Sequence, residues 1–284
     1  MKRFYKILVP VDFSALSTLG IQKAMNTAVQ CNCHEIHLLS VVDINTVGYF
    51  VTAETCLPVD CQLFQNELKT AEEKMEEIKK KFDPPKGISM VYTITDGNLI
   101  SVIKSYVEAH NIDLVVMATS GTGGIQEFIF GSNAQHIAAT IPCPLLSLQP
   151  YQDPGTIQKI IVPVETFYPE NKLHYALIFA KLFAAEIHLV CLRYKLEEPN
   201  KQTTDILRKI TAELDTEKIS YKIFASEGKN ITDVILRYAE KERVDLILVN
   251  PGKESKLTGK FIETTGGQII NHAHVPVLTV KKTS

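Results

Sequence analysis

Short runs of aliphatic and β-branched residues punctuate the chain, and longer amphipathic stretches separate them. Residues 6–11 (KILVPV), 35–42, 88–95 and 114–118 (LVVMA) are mostly apolar, the pattern of strands buried on both faces. Between the second and third of these runs, Phe64, Leu68, Ala71, Met75, Ile78 and Phe82 recur at helical spacing. Glu67, Lys69, Glu72, Glu73 and Lys80 take the opposite face. That spacing predicts an amphipathic surface helix over 62–82. Lys79, Lys80 and Lys81 fall in its last turn, where they complement the helix dipole. Ser14 reads as the N-cap of an earlier helix running to about Gln30, and the turn Gly97-Asn98 opens another over 99–110. Pro142-Cys143-Pro144 stops a short helix over 133–140, and 145–148 reads as one more strand.

The same order of elements then returns. KILVPVD at 6–12 becomes KIIVPVE at 159–165, and EIHL at 35–38 recurs at 186–189. DLVV at 113–116 becomes DLIL at 245–248, and Ile141-Pro142 becomes Val275-Pro276. Matches kept in order along the chain are the mark of a duplicated domain. In the second copy, helices are predicted near 172–184, 205–214 and 231–241, and strands near Lys159, Glu186, Ser220, Leu246 and Val277. Strand and helix alternate in both copies. Each is therefore expected to be an α/β domain, a Rossmann-like, doubly wound parallel sheet covered on both faces. The polar, Pro/Gly-rich segment 149–155 sets the expected boundary between a domain at 1–150 and another at 151–284.

A chain of 284 residues suits two such domains, and 45% hydrophobic with 22% charged residues is the balance of a soluble globular protein. The formal net charge of −2 argues against a dedicated nucleic-acid or membrane partner. The N-terminus runs straight into a strand with no signal-peptide pattern, and no apolar run is long enough to span a bilayer. Six unevenly spread cysteines make a poor disulfide framework and fit a reducing cytoplasm. Cys31-Asn32-Cys33-His34, with His37 nearby, has some metal-ligand spacing but no second ligand pair; thiols at a helix end are the simpler reading.

The chemistry concentrates between Asp113 and Leu148. After the apolar run 114–118 comes a small-residue loop, Thr119-Ser120-Gly121-Thr122-Gly123-Gly124, and then Gly131-Ser132 at a helix start. Glycines let backbone N–H groups approach an anion, and a helix N-terminus adds unpaired donors and a favourable dipole. The same glycines also make ordinary surface turns. The arrangement resembles the universal stress protein family, whose ATP-binding members carry Gly-x2-Gly-x9-Gly-Ser/Thr at this place. The chain matches at Gly121, Gly131 and Ser132 and has Ala118 in the first glycine's position.

The resemblance covers nearly the whole chain and implies a five-strand order of 3-2-1-4-5 in each copy. The first strand, ending at Asp12, and the glycine loop after the fourth would then flank one crevice. A carboxylate there can bind a ribose hydroxyl, a base amine or a metal near phosphates, or simply favour the next helix's N-terminus. The resemblance implies ATP or a related adenine nucleotide, with Mg²⁺ alongside the phosphates. Pro10 and Asp12 would lie against adenine and ribose, Val41 would hold adenine through its backbone, and Met117, Ala118, Gly121, Gly131, Ser132 and Asn133 would lie at ribose and phosphate. It also implies that the final strands, 145–148 and 277–280, pair edge to edge as an internal pseudo-dimer, which would bury two exposed apolar edges at once.

In the second copy Asp12, Gly131 and Ser132 become Glu165, Thr265 and Gly266, a degenerate set. No general base, P-loop, Gly-x-Ser-x-Gly or His-Glu-x-x-His is present, so catalysis beyond slow ATP hydrolysis is not expected. The expected role is a stress-response signalling or protective module. The alternatives are a protein-interaction module of the same fold that binds no nucleotide, or a slow ATPase. Residues 43–60 are long for a loop and could cover the nucleotide or join a homo-oligomer or another protein partner.

Overall fold

In the computed structural model, the first copy runs β1 (Lys6–Pro10), α1 (Ala15–Gln30), β2 (Glu35–Val42), a short antiparallel ladder of β3 (Val51–Thr52) and β4 (Thr55–Cys56), α2 (Cys61–Lys81), β5 (Ser89–Asp96), α3 (Leu99–His110), β6 (Leu114–Ala118), α4 (Phe130–Thr140) and β7 (Leu145–Leu148). The second runs β8 (Lys159–Val164), α5 (Glu170–Phe183), β9 (Glu186–Arg193), α6 (Lys201–Thr216), β10 (Tyr221–Glu227), α7 (Ile231–Glu242), β11 (Leu246–Val249), the ladder β12 (Lys253–Glu254) and β13 (Phe261–Ile262), α8 (Thr265–His272) and β14 (Val277–Thr279). The structure describes residues 4–42, 51–52, 55–56, 61–118, 130–148, 157–165, 167–193, 201–227, 230–251, 253–254, 261–262 and 265–281. Two compact units emerge, one of residues 3–117 with 140–142, the other of residues 1–2, 118–139 and 143–284.

In the first unit the parallel strands lie in the order β5-β2-β1-β6. Register is fixed by a carboxylate distant in sequence: Asp113 Oδ2 accepts the backbone N–H of Tyr5 at 2.9 Å and of Lys6 at 3.2 Å, seating β6 beside β1. All five residues of β6 are buried, as its unbroken apolar run requires. Ser14 caps α1 as expected, its side chain accepting from Ser17 N, and Asn98 caps α3 by accepting from Ser101 N. Asn111 takes the left-handed conformation at φ 53° that ends α3 ahead of β6.

The second unit repeats the design with the order β10-β9-β8-β11-β14 and then β7. Asp245 Oδ2 accepts from Gln158 N and Lys159 N at 2.8 and 2.9 Å, as Asp113 does in the first copy. Neighbouring strands are parallel except at β14 and β7, which pair antiparallel through Leu145↔Thr279, Leu146↔Leu278 and Ser147↔Val277. Ser147 Oγ also donates to Val277 O at 3.1 Å. The last strands of the two repeats thus meet edge to edge in the pairing of an internal pseudo-dimer.

Two expectations about helices are corrected. α4 starts at Phe130, three residues before the expected 133, so Gly131, Ser132 and Asn133 form its first turn. α8, absent from the sequence reading of the second copy, spans Thr265–His272 and buries Ile269 and Ile270 against Val234, Ile235 and Val277.

Candidate functional site

In the first unit the chain steps from β1 to β2 to β5 on one side and returns to β6 on the other. The strand order therefore reverses between β1 and β6, and the ligand crevice of a doubly wound sheet opens at their carboxyl ends. Pro10 closes β1 opposite Leu39, and Val11 N donates to Leu39 O at 2.8 Å. The next residue, Asp12, is exposed. Its Oδ1 accepts from both Ser14 N at 3.0 Å and Ser14 Oγ at 2.6 Å, so the carboxylate is oriented by the same serine that caps α1. Between them Phe13 takes φ 63°, a left-handed conformation that a bulky residue adopts only under constraint. Lys74, from the polar face of α2, stands 5.5 Å over the Phe13 ring. Neither residue was singled out from the sequence; nothing in the amphipathic pattern distinguishes Lys74 from its charged neighbours.

Val41 lies near the end of β2, half-buried and paired with Thr95. Met117 and Ala118 close β6 at 3% and 6% exposure, so the methyl at the position of the missing glycine is packed away from solvent. Gly131, Ser132 and Asn133 lie in the first turn of α4. Gly121 lies outside the described residues, as do the side chains of Ser132 and Asn133 and most of 43–60.

The corresponding crevice of the second copy carries a different chemistry. Glu165 follows β8 where Asp12 follows β1, and its Oε1 lies 3.8 Å from the Nζ of Lys172. Lys172 is 1% exposed, and its Nζ donates to Pro163 O at 3.1 Å and stands 5.6 Å over the Phe167 ring. A buried ammonium is tolerated only with such partners. At the end of β11, Asn250 Nδ2 donates to Val280 O at 2.8 Å, and a Cβ added at Gly266 would lie 1.8 Å from Asn250 O. The helix start therefore sits directly on the strand end. A cavity of about 70 Å³ lined by Phe167, Lys172 and Asn250 remains beside them. The helical pattern of α5 did not reveal the buried Lys172, which reads there as an ordinary surface lysine.

His37 and His188, equivalent in the two copies, are buried and form hydrogen-bonded networks. His37 Nε2 donates to Glu35 Oε2 at 3.1 Å, and its Nδ1 accepts from Tyr106 Oη at 3.0 Å; Tyr106 Oη meets Thr93 Oγ1 at 3.2 Å. Lys6 Nζ completes the chain 3.1 Å from Glu35. The second copy reproduces the histidine's bonds, His188 Nε2 to Glu186 at 2.8 Å and His188 Nδ1 to Tyr238 Oη at 3.0 Å, but the lysine on the carboxylate is Lys222 of β10, at 2.9 Å. Burial lowers the His37 pKa from its ordinary value, against the raising effect of Glu35, with His110 and Lys6 adding to the fall. A histidine whose folded pKa lies below its unfolded value of about 6.5 stabilises the fold fully above that pH. Its contribution is lost as pH falls through the folded pKa, because the unfolded chain binds the proton first. The melting temperature is expected to decline as pH drops below about 6.5, ahead of carboxylate titration. His37→Gln should flatten that part of the profile in a calorimetric pH series, and an unchanged slope would exclude His37 as its source.

Cys33 Sγ donates to Tyr5 O at 2.9 Å, and His34 stacks on Tyr5 with ring centroids 5.5 Å apart. Burial, with Cys33 beside it, pushes the Cys31 thiol up to about 12. Protonated thiols of this kind are poor ligands and nucleophiles. Among the described residues no group of His, Cys, Asp and Glu gathers as a metal site, and no helix is long and apolar enough to cross a membrane.

Two doubly wound repeats, each with its strand order reversing beside a carboxylate that follows the first strand, define a class of duplicated α/β proteins. The chain belongs to the universal stress protein family, whose model matches residues 3–148 and again 156–281. It is 26% identical over 144 residues to Universal stress protein MJ0531 of Methanocaldococcus jannaschii, covering 50% of this chain and 81% of that one. It is 27% identical over 155 residues to Universal stress protein MJ0577 of the same organism, covering 50% and 93%. The fold is similar to the crystal structure of a universal stress protein from Archaeoglobus fulgidus, with a TM-score of 0.77 at 18% identity over 99% of this chain and 100% of that chain.

Proposed function

We propose that the protein is a cytoplasmic stress-response module whose first repeat, residues 1–150, binds ATP or a related adenine nucleotide, while the second, 151–284, is a degenerate copy that does not. The observation that carries this reading is the contrast at the two strand-order reversals. Asp12 is exposed and oriented by Ser14, whereas in the second copy Glu165 stands 3.8 Å from the buried amine of Lys172. Asp12 and Pro10 would meet adenine and ribose, the Val41 backbone would hold the base, and Met117, Ala118, Gly121 and the first turn of α4, Gly131, Ser132 and Asn133, would follow the ribose and phosphates. An oriented carboxylate suits a ribose hydroxyl as acceptor, and its hard oxygens suit Mg²⁺ entering with the phosphates. Occupancy would then alter shape or partner choice, with no residue assigned as a general base.

Calorimetry with MgATP is expected to give about one site per chain. Asp12→Ala should weaken binding by roughly tenfold or more, the scale of a lost charge-assisted hydrogen bond. Gly131→Val should abolish it by blocking backbone approach. Thr265→Val, in the second copy, should change nothing. Two equal sites, or none at millimolar MgATP, would overturn the reading. The second of these results would favour the protein-interaction module instead, a reading that Ala118 in the glycine position supports. Phosphate release during the same titration distinguishes simple binding from slow ATP hydrolysis.

A further inference from the structure

A groove of about 480 Å³ lies between α7 and α8, in the volume range of small-molecule sites and apart from the crevice of Glu165 and Lys172. Its apolar lining is aliphatic: Leu236, Ala239, Ile247 and Val275. Thr232 Oγ1 donates to Gln268 Oε1 at 2.9 Å, linking the two helices and leaving the Gln268 amide nitrogen as a donor. Asp233, Arg237 and Glu240 line the same groove from one face of α7. Opposite charges at that helical spacing ordinarily pair. Among the described residues these three make no ion pair, and Arg237 instead uses Nε to donate to the Asp233 backbone carbonyl at 3.1 Å.

The duplicated fold supplies its own control. α3 and α7 have the same length and the same asparagine cap, at Asn98 and Asn230. Tyr106 and Tyr238, like Asp113 and Asp245, keep their partners in both copies. Of the polar groove positions, Asn230 and Glu240 keep the first copy's residue types, as Asn98 and Glu108, and the others do not. Thr232, Asp233 and Arg237 replace Ile100, Ser101 and Ser105, while Gln268, His272 and His274 replace Ala134, Ala138 and Thr140. The fold folds without these polar groups in its first copy, so their convergence on one aliphatic-lined groove in the second is not a requirement of packing.

We infer that the α7–α8 groove is a second ligand site, for a small zwitterion with an aliphatic body: a free amino acid or a short peptide. Arg237 takes the carboxylate, Asp233 or Glu240 takes the ammonium, and the aliphatic wall takes the side chain. Cation and anion recognition side by side over an apolar surface match that charge pattern; a phosphate would find Arg237, His272 and His274 but also meet two carboxylates, and a simple amine would leave Arg237 unused.

The test uses the full chain and saturation-transfer NMR, with L-leucine and the dipeptide leucyl-alanine as probes. At least one is expected to receive saturation at its methyl groups, and the comparison of the two tells which source the groove serves. Arg237→Ser and Asp233→Ser install the residues of the first copy at exposed positions, and each should weaken binding by roughly tenfold. Isoamylamine, which lacks the carboxylate, should bind wild type no better than leucine binds Arg237→Ser. Asp12→Ala should leave the probes unaffected, which separates this site from the proposed nucleotide crevice. Absence of saturation for both probes, or binding undiminished by Arg237→Ser, would overturn the inference.

Discussion

Gly266→Ser is expected to lower the melting temperature sharply, although serine is the residue of the first repeat at the matching position, Ser132. A Cβ at Gly266 would lie 1.8 Å from Asn250 O and 3.1 Å from Asn250 C, both backbone atoms. Asn250 cannot withdraw without breaking its side-chain bond to Val280 O and disturbing the end of β11. The helix must move instead, and α8 carries Ile269, Ile270 and Ala273 into the core shared with Val234, Ile235 and Val277. Overpacking of a rigid core typically costs about 1–3 kcal/mol and sometimes more. A backbone clash this close belongs at the upper end, so a fall of roughly 6–12 °C is expected for about 3 kcal/mol in a domain of this size. Gly267→Ala provides the comparison, because its Cβ would meet only the side-chain amide of Gln135 at 3.2 Å, which can shift. Its effect should stay under about 1 kcal/mol. Equal melting temperatures for Gly266→Ser and wild type would show that the helix start is free to move. The same contact explains why restoring serine would not restore a nucleotide crevice.

What the sequence made legible follows from which forces are local. Ser14 and Asn98 cap helices through hydrogen bonds to residues three positions on, so their roles can be read from short windows. The apolar run 114–118 and the spacing of Ala71, Met75 and Ile78 likewise report burial directly, and all of these side chains are buried. α8 was not legible because Thr265-Gly266-Gly267 opens it with two poor helix formers. Only tertiary packing against β11 selects the helix there. Lys172 was illegible for the converse reason: helical position says nothing about whether a lysine head finds Pro163 O and Glu165 in the interior. The Glu35–His37–Tyr106 network had a faint signal, since Glu-x-His on the second strand and a tyrosine on the helix after the third strand recur in both copies. Reading it as a network needed the pairing of β1, β2 and β5 with α3 above them. At the candidate site, Pro10, Asp12, Val41, Met117 and Ala118 fall at strand ends where periodicity places them, while the strain at Phe13 has no sequence signature at all.

A fragment of residues 1–150 is expected to self-associate. In the full chain β7 is buried completely, with Leu145, Leu146 and Leu148 at 0%, 4% and 3% exposure, and β14 supplies its antiparallel partner. α4 is tied to the second repeat as well, through Gln135 Nε2 donating to Gly267 O at 3.3 Å. Deleting the second repeat leaves an apolar strand edge with a row of unpaired backbone groups. β7 and β14 are equivalent strands of the two copies and pair antiparallel, so a second β7 can occupy the place of β14 with the same hydrogen-bond pattern. Light scattering coupled to gel filtration should therefore report a dimer, or larger aggregates, for the fragment and a monomer mass for the full chain under the same conditions. Replacing Leu146, which faces Leu278, with lysine should shift the fragment toward monomer by placing charges opposite one another at the new interface. A folded, monomeric 1–150 fragment would mean that the apolar edge is covered from within the first repeat, and that the pairing of β7 with β14 is not what protects it.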